Sequence, residues 1–280
     1  MERKKGVCEN FAAIFTDICQ KSGLRAFFIE GYTKTNGSMD RSGHAWSAVN
    51  IDNKWNLYDP TWDAGFNSNG IFVNRTASNY FQVEPASFIE THMPFDPIFQ
   101  FLDYPLSYDE FSKGFLKARN DTLYFNYTDS IVAYEKLNPL GKYTNAAIRI
   151  EKNGSPTQMT STKLKQLRME KEIIYQEEDA DLYNSAIEDY KQAITNFKTY
   201  LNFRNNRFLP ARPVLETETM LDEILQQITI ANKKLKQVNE SKATLALNTG
   251  DVEKVLNDLA EKVDEQKMFL KNYLSLTEQK

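Results

Sequence analysis

Cys8, His44 and Asp59 are the side chains of this sequence whose types and spacing suit one chemistry, the attack of a thiolate on an acyl carbon. A cysteine attacks as its thiolate, and a thiol at a helix N-terminus beside an imidazolium can titrate as low as about 3 to 4 rather than about 8.5. Cys8 fits that position. Residues 7–21 carry Val7, Phe11, Ile14, Phe15, Ile18 and Cys19 at helical spacing, and Ser22-Gly23 supplies the stop. Gly6, just before the thiol, allows a tight turn and a close substrate approach. The backbone N–H of Cys8, free of an intrahelical partner in the first turn, is a candidate oxyanion donor. Cys19 sits about 16 Å further along the same helix at 1.5 Å per residue, too far for a disulfide. It reads as a small buried hydrophobe.

The elements that must position the other two groups are strands. Arg25–Thr33, Ala45–Ile51 and Lys54–Tyr58 are aromatic and β-branched stretches bounded by Gly, Asn and Asp. If Asp52-Asn53 is a two-residue hairpin turn, Ile51 faces Lys54, and counting outward sets His44 against Thr61 and Trp46 against Asp59. His44 and Asp59 then share a face as diagonal neighbours about 7–8 Å apart, close enough for the carboxylate to orient the imidazole. His92 is the other histidine and a candidate base. It lies before Met93-Pro94 in a loop-like stretch with no carboxylate in a hairpin-defined relation to it, so His44 is preferred. Asp63 and Asp40 are weaker alternatives to Asp59. Trp46, Tyr58 and Trp62 are expected at the substrate-binding wall. No metal site is expected, because two cysteines on one helix and two separated histidines lack ligand-pair spacing, and no cofactor is implied.

Residues 64–113, dense in Phe, Pro, Asn and Asp, read as loops and short elements. TLYFNYT (122–128) and NAAIRIE (145–151) read as strands. Beyond Pro156 three apolar stripes at helical spacing begin: one from Leu182 to Leu201, one from Leu221 to Leu235, and one from Val252 to Leu274. The expected organisation is a core over 1–113, a β-rich extension over 114–156 and a helical bundle over 157–280. With 34 basic and 38 acidic residues intermixed and a net charge of -4, no basic block points to nucleic acid or anionic lipid. No apolar run reaches the roughly 18 residues of a membrane span. Free thiols leave the compartment open.

Three blocks, Gly6-Val7-Cys8-Glu9-Asn10-Phe11-Ala12, Gly43-His44-Ala45-Trp46 and Asp59-Pro60-Thr61-Trp62, resemble the signature blocks of the transglutaminase-like superfamily in order and spacing. Phe88-Ile89-Glu90-Thr91-His92-Met93-Pro94 with Asp96-Pro97 and Phe99–Leu102 is similar to a block of its kyphoscoliosis-peptidase and cytokinesis-protein branch. The resemblance covers residues 3–111. It implies an α+β, papain-like core, in which a nucleophile helix packs on an antiparallel sheet, followed here by an all-α helical bundle. It also implies Cys8 as nucleophile, His44 as general base and acid, Asp59 as orienting carboxylate, and an acyl-enzyme formed on a peptide or protein substrate and passed to water or to an amine. Such cores carry several dozen residues ahead of the nucleophile where this chain has seven, so the core is expected to be N-terminally short, with any export signal lost alongside that region. The second reading is a non-catalytic scaffold whose C-terminal helices bind a protein partner or self-associate.

Overall fold

The computed structural model describes residues 6–68, 71–74, 76–114, 124–153, 157–241, 243 and 247–277. Two compact units divide at Met169 and Glu170.

The first unit is α+β. Helix α1 (Cys8–Lys21) ends where Gly23 turns into left-handed backbone (φ 85°), its N–H reaching the Gln20 carbonyl while the Leu24 N–H reaches that of Cys19. Strands β1 (Arg25–Thr35), β2 (Ser38–Met39), β3 (His44–Ile51) and β4 (Lys54–Tyr58) form an antiparallel sheet in the order β2-β1-β3-β4. The expected hairpin holds: Asp52 and Asn53 both have positive φ, Ile51 pairs with Lys54, and the ladder runs to Ser47 opposite Tyr58. Helix α2 (Pro60–Ala64) starts directly after β4, and strands β5 (Gly65–Ser68) and β6 (Ile71–Asn74) form a separate hairpin. After helix α3 (Pro85–Phe88), strand β7 (His92–Pro94) pairs with the edge of β1 left free by β3.

Helix α1 and the sheet are joined by small and hydroxylic residues. Ala12, Thr16 and Ser47 are buried; the Ser47 hydroxyl lies 2.8 Å from that of Thr16 and donates to the Ala12 carbonyl at 3.1 Å. Cys8, Ala12 and Thr16 recur every fourth residue, so the stripe that docks the helix on β3 also carries the thiol at its N-terminal end.

The region expected as a β-rich extension is helical. After α4 (Tyr108–Lys113) come α5 (Tyr127–Glu135) and α6 (Pro139–Asn153). Asn126 caps α5, its side chain accepting from the Asp129 N–H, which overrides the aromatic β-propensity of the 124–128 stretch; residues 122 and 123 lie outside the described residues. In 145–151 the Ile-Arg-Ile-Glu alternation mimics a strand. The burial follows a period near 3.6 instead: Tyr143, Ala146, Ala147 and Ile150 pack with Tyr32, Met93 and Phe95, while Ile148 is exposed.

Helix α7 (Gln158–Asn205) begins close to the expected bundle boundary, but its first turns belong to the α+β unit, where Met159, Leu164 and Leu167 pack in the same cluster as Phe95 and Ile150. The boundary therefore falls about one helical stretch later than the sequence reading sets it. The second unit packs the rest of α7 with α8 (Val214–Asn239) and α9 (Thr249–Thr277) around Ala186, Ala193, Tyr200, Leu221, Ile224, Leu256 and Val263, the stripes expected from periodicity. Among the described residues no helix is long and apolar enough to cross a membrane.

Candidate active site

Cys8 is the first residue of α1, half-buried, where the aligned peptide dipoles favour negative charge. Just ahead of it, the Val7 N–H donates to Asn10 Oδ1 at 2.9 Å, which fixes the helix entry. His44 opens β3 and Asp59 follows β4, and the parity of the hairpin turns both side chains to one face of the sheet. His44 Nε2 lies 2.7 Å from Asp59 Oδ2. The same ring acts on the Cys8 thiol by hydrogen bonding and by its charge.

Asp59 is fully buried and serves two structures at once. Its Oδ1 caps α2, accepting from the Thr61 N–H (2.9 Å) and the Trp62 N–H (3.1 Å). Its Oδ2 accepts from His44 and, at 3.1 Å, from His92 Nε2. Burial opposes charge on this carboxyl, but the hydrogen bonds of the two imidazoles and the charge of His44 outweigh it and hold its pKa down to about 2.

His44 shows the complementary balance. Burial alone would discharge the ring, yet the hydrogen bonds and charges of Asp59 and Cys8 raise its pKa from 6.5 to about 9. The His44 hydrogen bond lowers the Cys8 thiol against the opposing effect of burial, helped by the imidazolium charge and by the N–H groups of Ala45 and Glu9, which also aim at the sulfur. These directions favour a thiolate–imidazolium pair backed by a carboxylate. Cys19 packs against the cluster of Ala26, Val49 and Tyr58, and burial pushes its thiol up, as suits a structural residue.

The alternatives for the third member have other partners. Asp40 accepts from the hydroxyls of Thr33 (2.6 Å) and Thr35 (3.1 Å), and Asp63 accepts from the Tyr80 N–H at 3.0 Å. Of the expected substrate-wall residues, Trp62 is half-buried with its ring 5.5 Å from that of His44. Trp46 and Tyr58 need correction. Trp46 is 1% exposed, packed among Ile29, Phe88 and His92. Tyr58 is buried on the opposite sheet face against Phe15. Neither has surface to offer a substrate. A groove of about 440 Å³ has among its walls Glu9 and Gly43, the chain neighbours of Cys8 and His44, together with Arg41, Phe95, Gln158 and Lys163.

His92 is the group that sequence reasoning undervalued. The hairpin count runs along β3 and β4 alone, whereas His92 arrives through the pairing of β7 with β1: Gly31 pairs with His44 on one side and Pro94 on the other, and Thr33 pairs with His92. One strand thus aligns both histidines on one face. Gly31 permits this crossing, since a Cβ there would lie 2.1 Å from the Met93 carbonyl oxygen and 2.5 Å from the Trp46 ring. The two histidines, expected to be too separated for a shared ligand set, converge on Asp59, with one ligand atom from each of the three residues within 4.8 Å of the others. Two imidazole N–H groups donating to one carboxylate oxygen account for that spacing as a hydrogen-bond network.

Residues 1–60 match the model of the transglutaminase-like superfamily. That stretch, which holds Cys8, His44 and Asp59, is similar to the transglutaminase-like superfamily. The kyphoscoliosis peptidase of Homo sapiens is 26% identical over 216 residues, covering 67% of this chain, and that of Mus musculus is 25% identical over 222 residues, again 67% of the chain. The chain spans about a third of these curated relatives, 32% of each. The similarity therefore runs past the transglutaminase-like match at residue 60 and takes in the branch suggested by the Phe88–Leu102 block.

Proposed function

We propose that this chain carries out cysteine-nucleophile acyl transfer on peptide or protein amides through Cys8, His44 and Asp59. The observation that supports this most is the position of His44, held by Asp59 through Nε2 at 2.7 Å while its hydrogen bonding and charge lower the Cys8 thiol. In the first half-reaction the Cys8 thiolate adds to the amide carbonyl carbon, forming the C–S bond and an oxyanion beside the N–H groups of the α1 N-terminus. His44 then gives its proton to the departing nitrogen as the C–N bond breaks, leaving a thioester. In the second, His44 takes a proton from water or from an amine as that nucleophile attacks the thioester, and the thiolate leaves. Asp59 keeps the ring oriented and stabilises its charge throughout. The groove flanked by Glu9 and Gly43 is the place for the peptide.

The test is thiol reactivity followed by turnover. Iodoacetamide at pH 6 with peptide mapping is expected to modify Cys8 ahead of Cys19, and Cys19 labelling first would sink the reading in favour of a scaffold. Incubation with a glutamine-containing protein and a fluorescent primary amine separates incorporation of the amine from hydrolysis. Cys8→Ala and His44→Ala each abolish both.

A further inference from the structure

His92 is 1% exposed, and both its ring nitrogens are engaged: Nε2 lies 3.1 Å from Asp59 Oδ2, and Nδ1 lies 2.8 Å from the Thr91 hydroxyl. The ring is caged by Phe88, Trp62, Trp46 and Tyr80, with centroids 4.2, 4.5, 5.1 and 5.2 Å away, so it has little room to turn. A carboxylate can only accept, so the proton between His92 and Asp59 belongs to Nε2, and in the neutral ring Nδ1 must then accept from the Thr91 hydroxyl. The donors line up in one direction, from Thr91 to His92 to Asp59.

We infer that His92 is a positioning residue for the Cys8–His44 pair, acting through Asp59 by fixing the carboxylate oxygen that His44 uses. The inference rests on the acyl-transfer reading above. It adds a role for a second imidazole outside the expected triad. Oδ1 is pinned by two backbone N–H groups and Oδ2 by two ring N–H groups, which leaves the carboxylate a single orientation. Burial favours the uncharged form of His92, against the pull of Asp59. A neutral ring supplies a fourth donor without adding a second positive charge beside the His44 imidazolium, which would compete with it for the carboxylate.

The experiment is the pH profile of Cys8 alkylation by iodoacetamide in the full chain, with Cys19 as internal reference. His92→Phe keeps an aromatic ring in the cage and removes the donor. It is expected to slow Cys8 alkylation at pH 6 about tenfold, the scale on which partners orienting a reacting group act, and to move the acid edge of the profile upward, because Asp59 has lost a donor that favours its ionised form. His92→Gln can present an N–H near the Nε2 position and should recover most of the loss, which a purely space-filling role would not give. A wild-type profile in His92→Phe, or a Gln variant as impaired as the Phe variant, overturns the inference. If His92→Phe fails to fold, Thr91→Val decides: it removes only the hydroxyl that fixes the tautomer, a smaller upward shift of the acid edge is expected, and an unchanged profile overturns the role. A wild-type Cys8 no more reactive than Cys19 overturns the acyl-transfer reading itself and this inference with it, whereas a reactive wild type with an unaffected His92→Phe rejects His92 alone.

Discussion

The two units bury different things. The core of α7, α8 and α9 is made of Ala, Leu, Ile and Val with Phe197 and Tyr200, its buried polar residues being Asp179, Thr217 and Thr249, whereas the α+β unit buries the larger polar set that includes Thr16, Ser47, Asp59, His92, Asp96 and Gln100 among its aromatics. Burying polar groups costs stability unless each finds its partner. In the α+β unit the partners come from distant parts of the chain, as Thr16 to Ser47 and Asp59 to His92 do. A core of interchangeable apolar residues tolerates repacking. One held by a polar network does not, and here that network contains the site.

Four measurements break or sharpen that contrast. Asp59→Ala should be the most damaging, at about 3–5 kcal/mol, the scale of removing one partner from a buried charge network, because it strands two imidazoles and the α2 cap together. Faster amide exchange in β3 and β4 and loss of selective Cys8 alkylation would register it; native-like exchange would show that the network carries little of the fold. Leu256→Ala should cost about 2–5 kcal/mol by the cavity it leaves, accelerate exchange in the bundle and leave the Cys8 pH profile unchanged. A shifted profile would break the separation drawn between the two kinds of core.

Titration supplies the third. His44 is raised from 6.5 to about 9, so its contribution to the fold is fully present below 6.5 and is lost as pH rises through about 9. Asp59 is lowered from 3.8 to about 2, so its contribution is present above 3.8 and lost as pH falls through about 2. Exchange at β3 amides should accelerate toward both limits relative to amides of α8, and equal acceleration in the two would contradict the assignment. The smallest effect is expected from Ser47→Ala, about 1 kcal/mol for hydrogen bonds between neutral groups, with a fall in Cys8 alkylation if the Thr16–Ser47 contact sets the seating of α1. Unfolding and alkylation measured on the same sample separate the two consequences.

The bundle was legible because its stabilisation is periodic: Leu221, Ile224, Ile228, Ala231 and Leu235 write the buried face of α8 into the sequence at every turn. The hairpin was legible for the same local reason, and with it the sharing of a face by His44 and Asp59, since Asp52-Asn53 fixes the register between them. What could not be read was non-local. The pairing of β7 with β1 brings His92 to Asp59 from 33 positions away, and no count outward from a turn reaches it. The placing of Trp46 and Tyr58 at a substrate wall failed because alternation tells which residues share a face but not which face is covered. Residues 145–151 failed through a period of two sitting inside a longer period of 3.6.

Asp59 caps a helix, anchors two imidazoles and, in the proposed reaction, orients the base. A descendant of this chain released from any need for turnover would still require the first two services in order to fold, while Cys8, half-buried at a helix start, could drift at little expense to stability. In such a lineage the carboxylate would outlast the chemistry as a fossil of it.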